Sequence, residues 1–136
     1  MNRKDVRELH YICHIFNIPS ILELGILSHN EVQHRGVRYK SVADAEVQDK
    51  RAVKYLHDYA NLYFDARNPM MYVLKRRHTE LVVLRLRPDV LDIPKSLISN
   101  MNAARKEAKL LASPDGISVL DKDMVYANSW VHPNDY

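Results

Sequence analysis

The chain has 136 residues, of which 46% are hydrophobic and 27% are charged, so it has the length of one domain with one hydrophobic core. Its 20 lysine and arginine residues exceed its 17 aspartate and glutamate residues by three, but 19 of the 20 basic residues lie within residues 1–109. This uneven charge suits a phosphate-bearing partner, and it suits solvated side chains on ordinary helices equally well.

Several kinds of site and location are disfavoured by the residue content. One cysteine, Cys13, cannot form an internal disulfide, and no cysteine or histidine spacing is that of a zinc site. The three glycines, at positions 25, 36 and 116, exclude the glycine-rich phosphate loops of many nucleotide-binding proteins. With charged residues after Met1 and no long apolar run, the sequence predicts a cytoplasmic protein without a metal, folded as one domain over residues 1–136.

A strand and then a short helix are predicted at the start of the chain. The segment "LHYICHI" (9–15) is short and rich in aromatic and β-branched residues, which favours a strand. In "NIPSILELG" (17–25), Asn17 can cap a helix, Pro19 fits its first turn and Gly25 suits its end.

The later elements mix both types of secondary structure. Residues 28–41 are polar without a clear period and predict a long ordered loop, whereas residues 42–56 predict a helix. Residues 71–74 and 80–86 are expected to be strands, and "SLISNMNAARKEAKLL" (96–111) an amphipathic helix. Helices and strands do not alternate regularly, so the fold class is α+β.

The segment "DYANLYFDARNPMMYVL" (58–74) has the most unusual composition in the chain. Its aromatic residues could simply be half-buried packing residues. Interleaved with Arg67 and followed by Arg76 and Arg77, they could also form a surface that stacks bases and follows a nucleic-acid backbone. The residue types alone leave both interpretations open.

Charged and histidine side chains give weaker signals. His14 ends the first predicted strand near a helix start, where free backbone donors favour a polar ligand. Arg51 has acidic neighbours that suit a solvated helix face, although a guanidinium also suits phosphate contact. Four further histidines are expected at the surface: His29, His34, His78 and His132.

Two blocks of the sequence resemble the DarT family of DNA ADP-ribosyltransferases. The first is "YICHIFNIPSILELGILSHN" (11–30), similar to the family's opening histidine, asparagine and "PSIL" pattern. The second is "LHDYANLYFDARNPMMY" (56–72), similar to its "LHDY", aromatic pair and "R-N/S-P-M" turn. The resemblance implies an ADP-ribosyltransferase-like fold of small sheets with flanking helices, NAD⁺ as substrate, a base of single-stranded DNA as acceptor, and a toxin paired with an antitoxin that removes the modification.

The resemblance also implies roles for individual residues. Arg51 matches the family's essential arginine, which contacts NAD⁺ and assists removal of a proton from the base. The residues implied for NAD⁺ binding are Tyr11, Ile12, Cys13, His14, Ser20 and Ser28. We expect the aromatic and basic surface of residues 59–77 to bind DNA, and the residues expected to contact it are Tyr63, Arg67, Met70, Tyr72 and Arg76.

Two departures from the family pattern are present. Cys13 stands where the family usually has threonine, and no glutamate follows Glu107, although the family has a late catalytic glutamate. The chain therefore resembles the N-terminal two thirds of such a domain, and we expect the 136 residues to be weakly active or inactive. The alternatives are a non-catalytic module that binds single-stranded nucleic acid and an interaction or dimerisation domain.

Overall fold

The protein's structure, a computed structural model, describes residues 1–42 and 56–128, apart from the side chain of Met70. Four strands and four α-helices lie in these two ranges, joined by short 3₁₀ turns. In chain order they are β1 (Leu9–His14), α1 (Ile18–Leu24), α2 (His29–His34), α3 (Pro69–Val73), β2 (Leu81–Leu86), β3 (Leu97–Ser99), β4 (Leu110–Ala112) and α4 (Lys122–Val125). The predicted α+β class is confirmed.

The first sheet consists of β1 and β2, which pair antiparallel from Leu9 with Leu86 to His14 with Leu81. Five of the six residues of β1 are buried, because other segments cover both of its faces. The predictions of a strand at 9–15, a helix at 17–25 and a strand at 80–86 are confirmed. Gly25 ends α1 with a φ of 84°, a backbone conformation that favours glycine.

The second sheet replaces the helix predicted over residues 96–111, and that prediction is wrong. Leu97 pairs with Ala112 and Ser99 with Leu110, so the two ends of the segment form an antiparallel hairpin. Asparagines interrupt the middle: Asn102 accepts a hydrogen bond from the Ala104 N–H at 3.0 Å. Such local bonds compete with a helix, and burial of Ile98 in the core favours the strand pairing.

Two further predictions of secondary structure are wrong, and in both cases the sequence contains a helix cap that the prediction did not use. Residues 71–74, predicted as a strand, lie mostly in α3, where Asn68 Oδ1 accepts from the Met71 N–H at 3.1 Å and Pro69 is the first helical residue. Residues 28–41, predicted as a loop, contain α2, and its capping residue Ser28 accepts from the Glu31 N–H at 3.2 Å.

The main core joins the start of β1 to the second sheet and the C-terminal turns. Its buried members are Val6, Leu9, Leu91, Ile98, Ile117 and Leu120. Leu62 and Phe64 pack against this cluster, so part of the aromatic segment is anchored in the core.

The helices of the described ranges are short. None of them is long and apolar enough to cross a bilayer. The helix predicted over residues 42–56, with Arg51, lies outside the described residues except at its two ends, Val42 and Leu56.

Candidate functional site

A cleft opens beside β1, between α2, residues 39–42 and residues 56–63. Four tyrosines and two histidines line it, together with smaller apolar side chains. The aromatic lining residues are Tyr11, Tyr39, Tyr59, Tyr63, His29 and His57. A concave site with aromatic walls and a few polar groups suits a flat heteroaromatic ligand.

Two tyrosine hydroxyls meet inside this cleft. Tyr11 Oη lies 3.2 Å from Tyr39 Oη, and Tyr11 is buried. Burial, and secondarily the neighbouring Tyr39, raises the pKa of Tyr11 well above its ordinary value. The Tyr11 hydroxyl therefore remains protonated and acts as a neutral donor or acceptor.

Two histidine rings form the opposite part of the lining. The ring centroids of His29 and His57 are 4.2 Å apart, and the Gln33 side-chain amide donates to His29 Nε2 at 3.1 Å. Burial, followed by the charge of His57, lowers the pKa of His29. His29, predicted at the surface, is half-buried in the cleft lining, whereas His34 and His78 are exposed as predicted. His132 lies outside the described residues.

Asn17 fixes the loop that carries Tyr39. It is fully buried, its Nδ2 donates to the Lys40 carbonyl at 2.8 Å, and its Oδ1 accepts from the Lys40 N–H at 2.9 Å. Asn17 precedes α1 but makes no side-chain capping bond, so its predicted capping role is wrong. Its side chain holds residue 40, and hence Tyr39, in place.

The six residues predicted to bind NAD⁺ fall into two groups. Tyr11 and Ile12 line the cleft, and Ser28 caps α2 next to the lining residues Leu27 and His29.

The other three residues are engaged elsewhere. Cys13 is fully buried, and burial raises the pKa of its thiol. Ser20 Oγ donates to the Asn17 carbonyl at 3.0 Å. His14 Nδ1 accepts from the Phe16 N–H at 3.0 Å, and its Nε2 lies 3.6 Å from Glu80 Oε2.

The residues predicted to contact DNA lie on the segment from residue 63 to residue 76. Arg67 is exposed, and its guanidinium donates to Asn128 Oδ1 at 2.8 Å. Tyr72 is 67% exposed and carries the Lys75 ammonium 4.2 Å from its ring centroid. Arg76 is exposed in the 3₁₀ turn after α3, and the backbone of Met70 lies in α3.

Tyr63 connects these two sets of residues. It belongs to the set predicted to contact DNA, yet it lines the cleft together with Tyr11 and Ile12. Sequence reasoning missed Tyr39, His29 and His57 as cleft residues because each lies far from Tyr11 along the chain. Within the described residues no group of three potential metal ligands occurs.

The α+β fold and the aromatic cleft beside β1 do not by themselves define the class of protein, and comparison with known proteins identifies it. The family model described as "DarT: ssDNA thymidine ADP-ribosyltransferase" matches residues 10–136. The chain belongs to the DarT family.

Two proteins that are similar in sequence support this assignment. A DNA ADP-ribosyl transferase–DNA ADP-ribosyl glycohydrolase fusion protein of Thermosipho africanus (strain H17ap60334) is 36% identical over 133 residues, which cover 88% of this chain and 34% of the relative. A DNA ADP-ribosyl transferase of Thermus sp. (strain 2.9) is 25% identical, over 92% of this chain and 67% of the relative. The chain thus spans about a third of the length of the fusion protein.

Solved structures agree on the fold. Thermosipho africanus DarTG in complex with ADP-ribose superimposes with a TM-score of 0.70 and 38% identity, over 78% of this chain and 31% of that chain. Thermus sp. 2.9 DarT in complex with ADP-ribosylated ssDNA gives a TM-score of 0.79 at 22% identity, over 96% of this chain and 69% of that chain. At that identity the second likeness shows the fold alone, and the predicted ADP-ribosyltransferase-like fold is confirmed.

Proposed function

We propose that this chain binds NAD⁺ in the cleft beside β1 and transfers ADP-ribose to a thymidine base of single-stranded DNA. The observation that carries the proposal is the aromatic cleft at Tyr11, Tyr39 and Tyr63 in a member of a family described as acting on thymidine in ssDNA. We also propose that the residues predicted to bind NAD⁺ and those predicted to contact DNA have these roles. A cytoplasmic location, which suits a lone thiol and a DNA substrate, belongs to it as well.

The cleft has the chemistry that a nicotinamide ring needs. Tyrosine and histidine rings offer flat faces for stacking, and the paired hydroxyls of Tyr11 and Tyr39 offer neutral hydrogen-bonding groups. In the reaction the bond from the nicotinamide nitrogen to the ribose breaks, and a bond from the ribose to a base nitrogen forms. Arg51, assigned by resemblance, would contact NAD⁺ and assist loss of the base proton.

The proposed DNA surface begins where the cleft ends. Tyr63 lies at the cleft, and the exposed side chains of Arg67, Tyr72 and Arg76 continue along the chain from it. Exposed tyrosines can stack on bases and arginines can bind phosphates. A strand held on this surface would present a base close to the bound NAD⁺.

A transfer assay tests the proposal. The protein is incubated with NAD⁺ and a thymidine-containing oligonucleotide, and the mass of the DNA is measured. We expect slow addition of single ADP-ribose units that Arg51→Ala abolishes and Arg105→Ala, a change in the exposed β3–β4 loop, leaves unchanged. Addition to an oligonucleotide lacking thymidine at the same rate would refute the base assignment, and no addition after long incubation would favour the second candidate.

The second candidate is a binding module for single-stranded nucleic acid that has no transferase activity. The exposed side chains of Arg67, Tyr72 and Arg76 favour it, because such a surface can bind nucleic acid without any reaction. The resemblance implies a catalytic glutamate late in the domain, and Glu107, the last glutamate of the 136 residues, is exposed in the β3–β4 loop with its Oε2 3.9 Å from Arg105 Nε. Removal of one preorganised group that stabilises a transition state typically costs about 10²-fold or more in rate. A family-typical rate from these 136 residues would refute the expected weak activity.

The proposal includes an antagonist of the modification. The Thermosipho relative is described as a fusion of the transferase with a DNA ADP-ribosyl glycohydrolase. We propose that a glycohydrolase of this kind acts as the antitoxin of this chain. Release of ADP-ribose from the modified oligonucleotide by such an enzyme would support this pairing, and resistance of the modified base to it would contradict it.

A further inference from the structure

We propose that His10 is a positioning residue that holds the segment Tyr63–Arg67 in the conformation that binds DNA. The inference rests on the proposed function, because the role of this segment in DNA binding is part of that proposal. His10 lies on β1, more than fifty residues before the segment, and the sequence pattern indicates no role for it.

Three hydrogen bonds join residue 10 to the segment. The main chain of His10 exchanges two bonds with Tyr63: His10 N–H donates to the Tyr63 carbonyl at 2.7 Å, and Tyr63 N–H donates to the His10 carbonyl at 2.8 Å. The side chain adds a third, because His10 Nδ1 accepts from the Ala66 N–H at 2.6 Å. The first two bonds survive any substitution of the side chain, but the third depends on the imidazole.

The imidazole is held in the orientation that this third bond requires. His10 Nε2 donates to Glu8 Oε1 at 2.8 Å, and Arg85 binds Glu8 Oε2 through Nε at 2.8 Å and through Nη2 at 2.6 Å. Arg85 is the partner of His10 across the sheet, so both side chains lie on the same face. A proton on Nε2 leaves the Nδ1 lone pair free for Ala66.

One carboxylate lies near the Nδ1 side of the ring. Asp65 Oδ1 lies 3.9 Å from His10 Nδ1 and accepts from the Arg67 N–H at 2.9 Å. The segment around Tyr63 contains no helix or strand of its own beyond the bridge to His10. Its shape therefore depends on the packing of Phe64 against the core and on such bonds to β1. Preorganised contact residues bind with a smaller loss of conformational entropy.

The hydrogen bond from the Ala66 N–H to His10 Nδ1 lies where it can affect DNA binding. Tyr63 lies at the cleft and Arg67 at the proposed DNA surface, and the Ala66 N–H that His10 accepts lies between them. Loss of the bond to Ala66 would free the backbone that sets the distance between the cleft and the Arg67 guanidinium. We expect this loss to weaken DNA binding without removing any DNA-contacting side chain.

Two amide variants, each of which can replace one ring nitrogen of His10, separate positioning from general stability. In His10→Asn, the side-chain oxygen can take the place of Nδ1 and accept from Ala66. In His10→Gln, the side-chain amide can take the place of Nε2 and keep the bond to Glu8, but the bond to Ala66 is lost. His34→Ala, in an exposed histidine of α2, is the matched control.

The readouts are affinity for a fluorescent thymidine-containing oligonucleotide and hydrogen exchange of the Ala66 amide. We expect His10→Gln to weaken the affinity about tenfold and to speed Ala66 exchange, while His10→Asn and His34→Ala stay near the original protein. Equal affinities for the Asn and Gln variants, whether both are weak or both unchanged, would overturn the inference. If the original protein binds no oligonucleotide, the proposed function itself fails, and that result is distinct from either pattern of variants.

Discussion

The hydroxyl of Tyr11 illustrates how single polar atoms shape the cleft. Tyr11 is buried on β1, and its hydroxyl forms a hydrogen bond with the hydroxyl of Tyr39, which is 28 residues later in the chain. A buried polar group that loses its partner costs more than the bond itself contributes, because its desolvation is no longer compensated. Tyr39 is therefore expected to stabilise the cleft wall as well as to line it.

A double-mutant cycle tests this pairing. We expect Tyr39→Phe to lower the free energy of unfolding by about 1 to 2 kcal/mol, since it leaves the Tyr11 hydroxyl unsatisfied. The double variant Tyr11→Phe/Tyr39→Phe should recover much of that loss, because both partners are then apolar. Urea unfolding gives the free energy of unfolding of the original protein, the two single variants and the double variant. If the losses of the single variants add up to that of the double variant, the two hydroxyls are not coupled.

Glu8 makes the stability of the first sheet dependent on pH. The bonds from Arg85, and then from His10, lower the pKa of Glu8 from 4.5 to about 2. Because the folded protein holds the ionised form more strongly than the unfolded chain does, the stabilisation by Glu8 is complete above pH 4.5 and is lost as the pH falls towards 2.

The corresponding variant is Glu8→Gln, which cannot ionise. We expect the original protein to lose stability relative to Glu8→Gln as acid is added below pH 4.5. Denaturant unfolding at a series of pH values measures the difference between the two proteins. A constant difference across this range would contradict the assigned cause of the shift.

At the level of elements, the sequence is informative where local and tertiary preferences agree. The strand at 9–15 and the helix at 17–25 have both their own propensity and a place in the fold. The middle of the segment 96–111 contains residues of high helix propensity, but its ends pair as strands because Ile98 is buried in the core. At Asn68-Pro69 the helix signal is a local cap, whereas the apolar run after it favours a strand by residue type alone.

Close packing between the hairpin and the turn after it makes Gly116 sensitive to substitution. A Cβ atom at residue 116 would lie 2.7 Å from Leu111 Cβ and 3.4 Å from Ile98 Cβ. Since both neighbours are the first atoms of side chains on strands, they can move only with the backbone. Gly116 is itself buried in the 3₁₀ turn Asp115–Val119.

We expect Gly116→Ala to destabilise the protein by about 1 to 3 kcal/mol, the usual cost of overpacking a core. Asp115→Ala, at the exposed neighbouring position of the same turn, is the control and should have a much smaller effect. The melting temperatures of the two variants are measured and compared. Equal melting temperatures would show that the hairpin and the turn can separate at low cost.

At the level of the whole molecule, the cleft could not be predicted from local pattern. Tyr11, His29, Tyr39 and Tyr63 come together through tertiary contacts: the pairing of β1 with its neighbours, the Asn17–Lys40 bonds and the contact of His29 with His57. Tyr11 and Ile12, which the resemblance implies for NAD⁺ binding, line the cleft, and so does Tyr63, which was expected to contact DNA. Their roles in binding stay predictions. Arg51 lies outside the described residues, so its role remains a prediction from that resemblance.

Thermal melting with and without NAD⁺ tests the central claim most directly. A ligand that binds only the folded protein stabilises it by about 2.7 kcal/mol at a hundred times its Kd. We predict that NAD⁺ raises the Tm of the original protein and of Arg105→Ala, and that Arg51→Ala abolishes the rise. An unchanged Tm in NAD⁺, or an equal rise in Arg51→Ala, would contradict a dinucleotide site built around the cleft and Arg51.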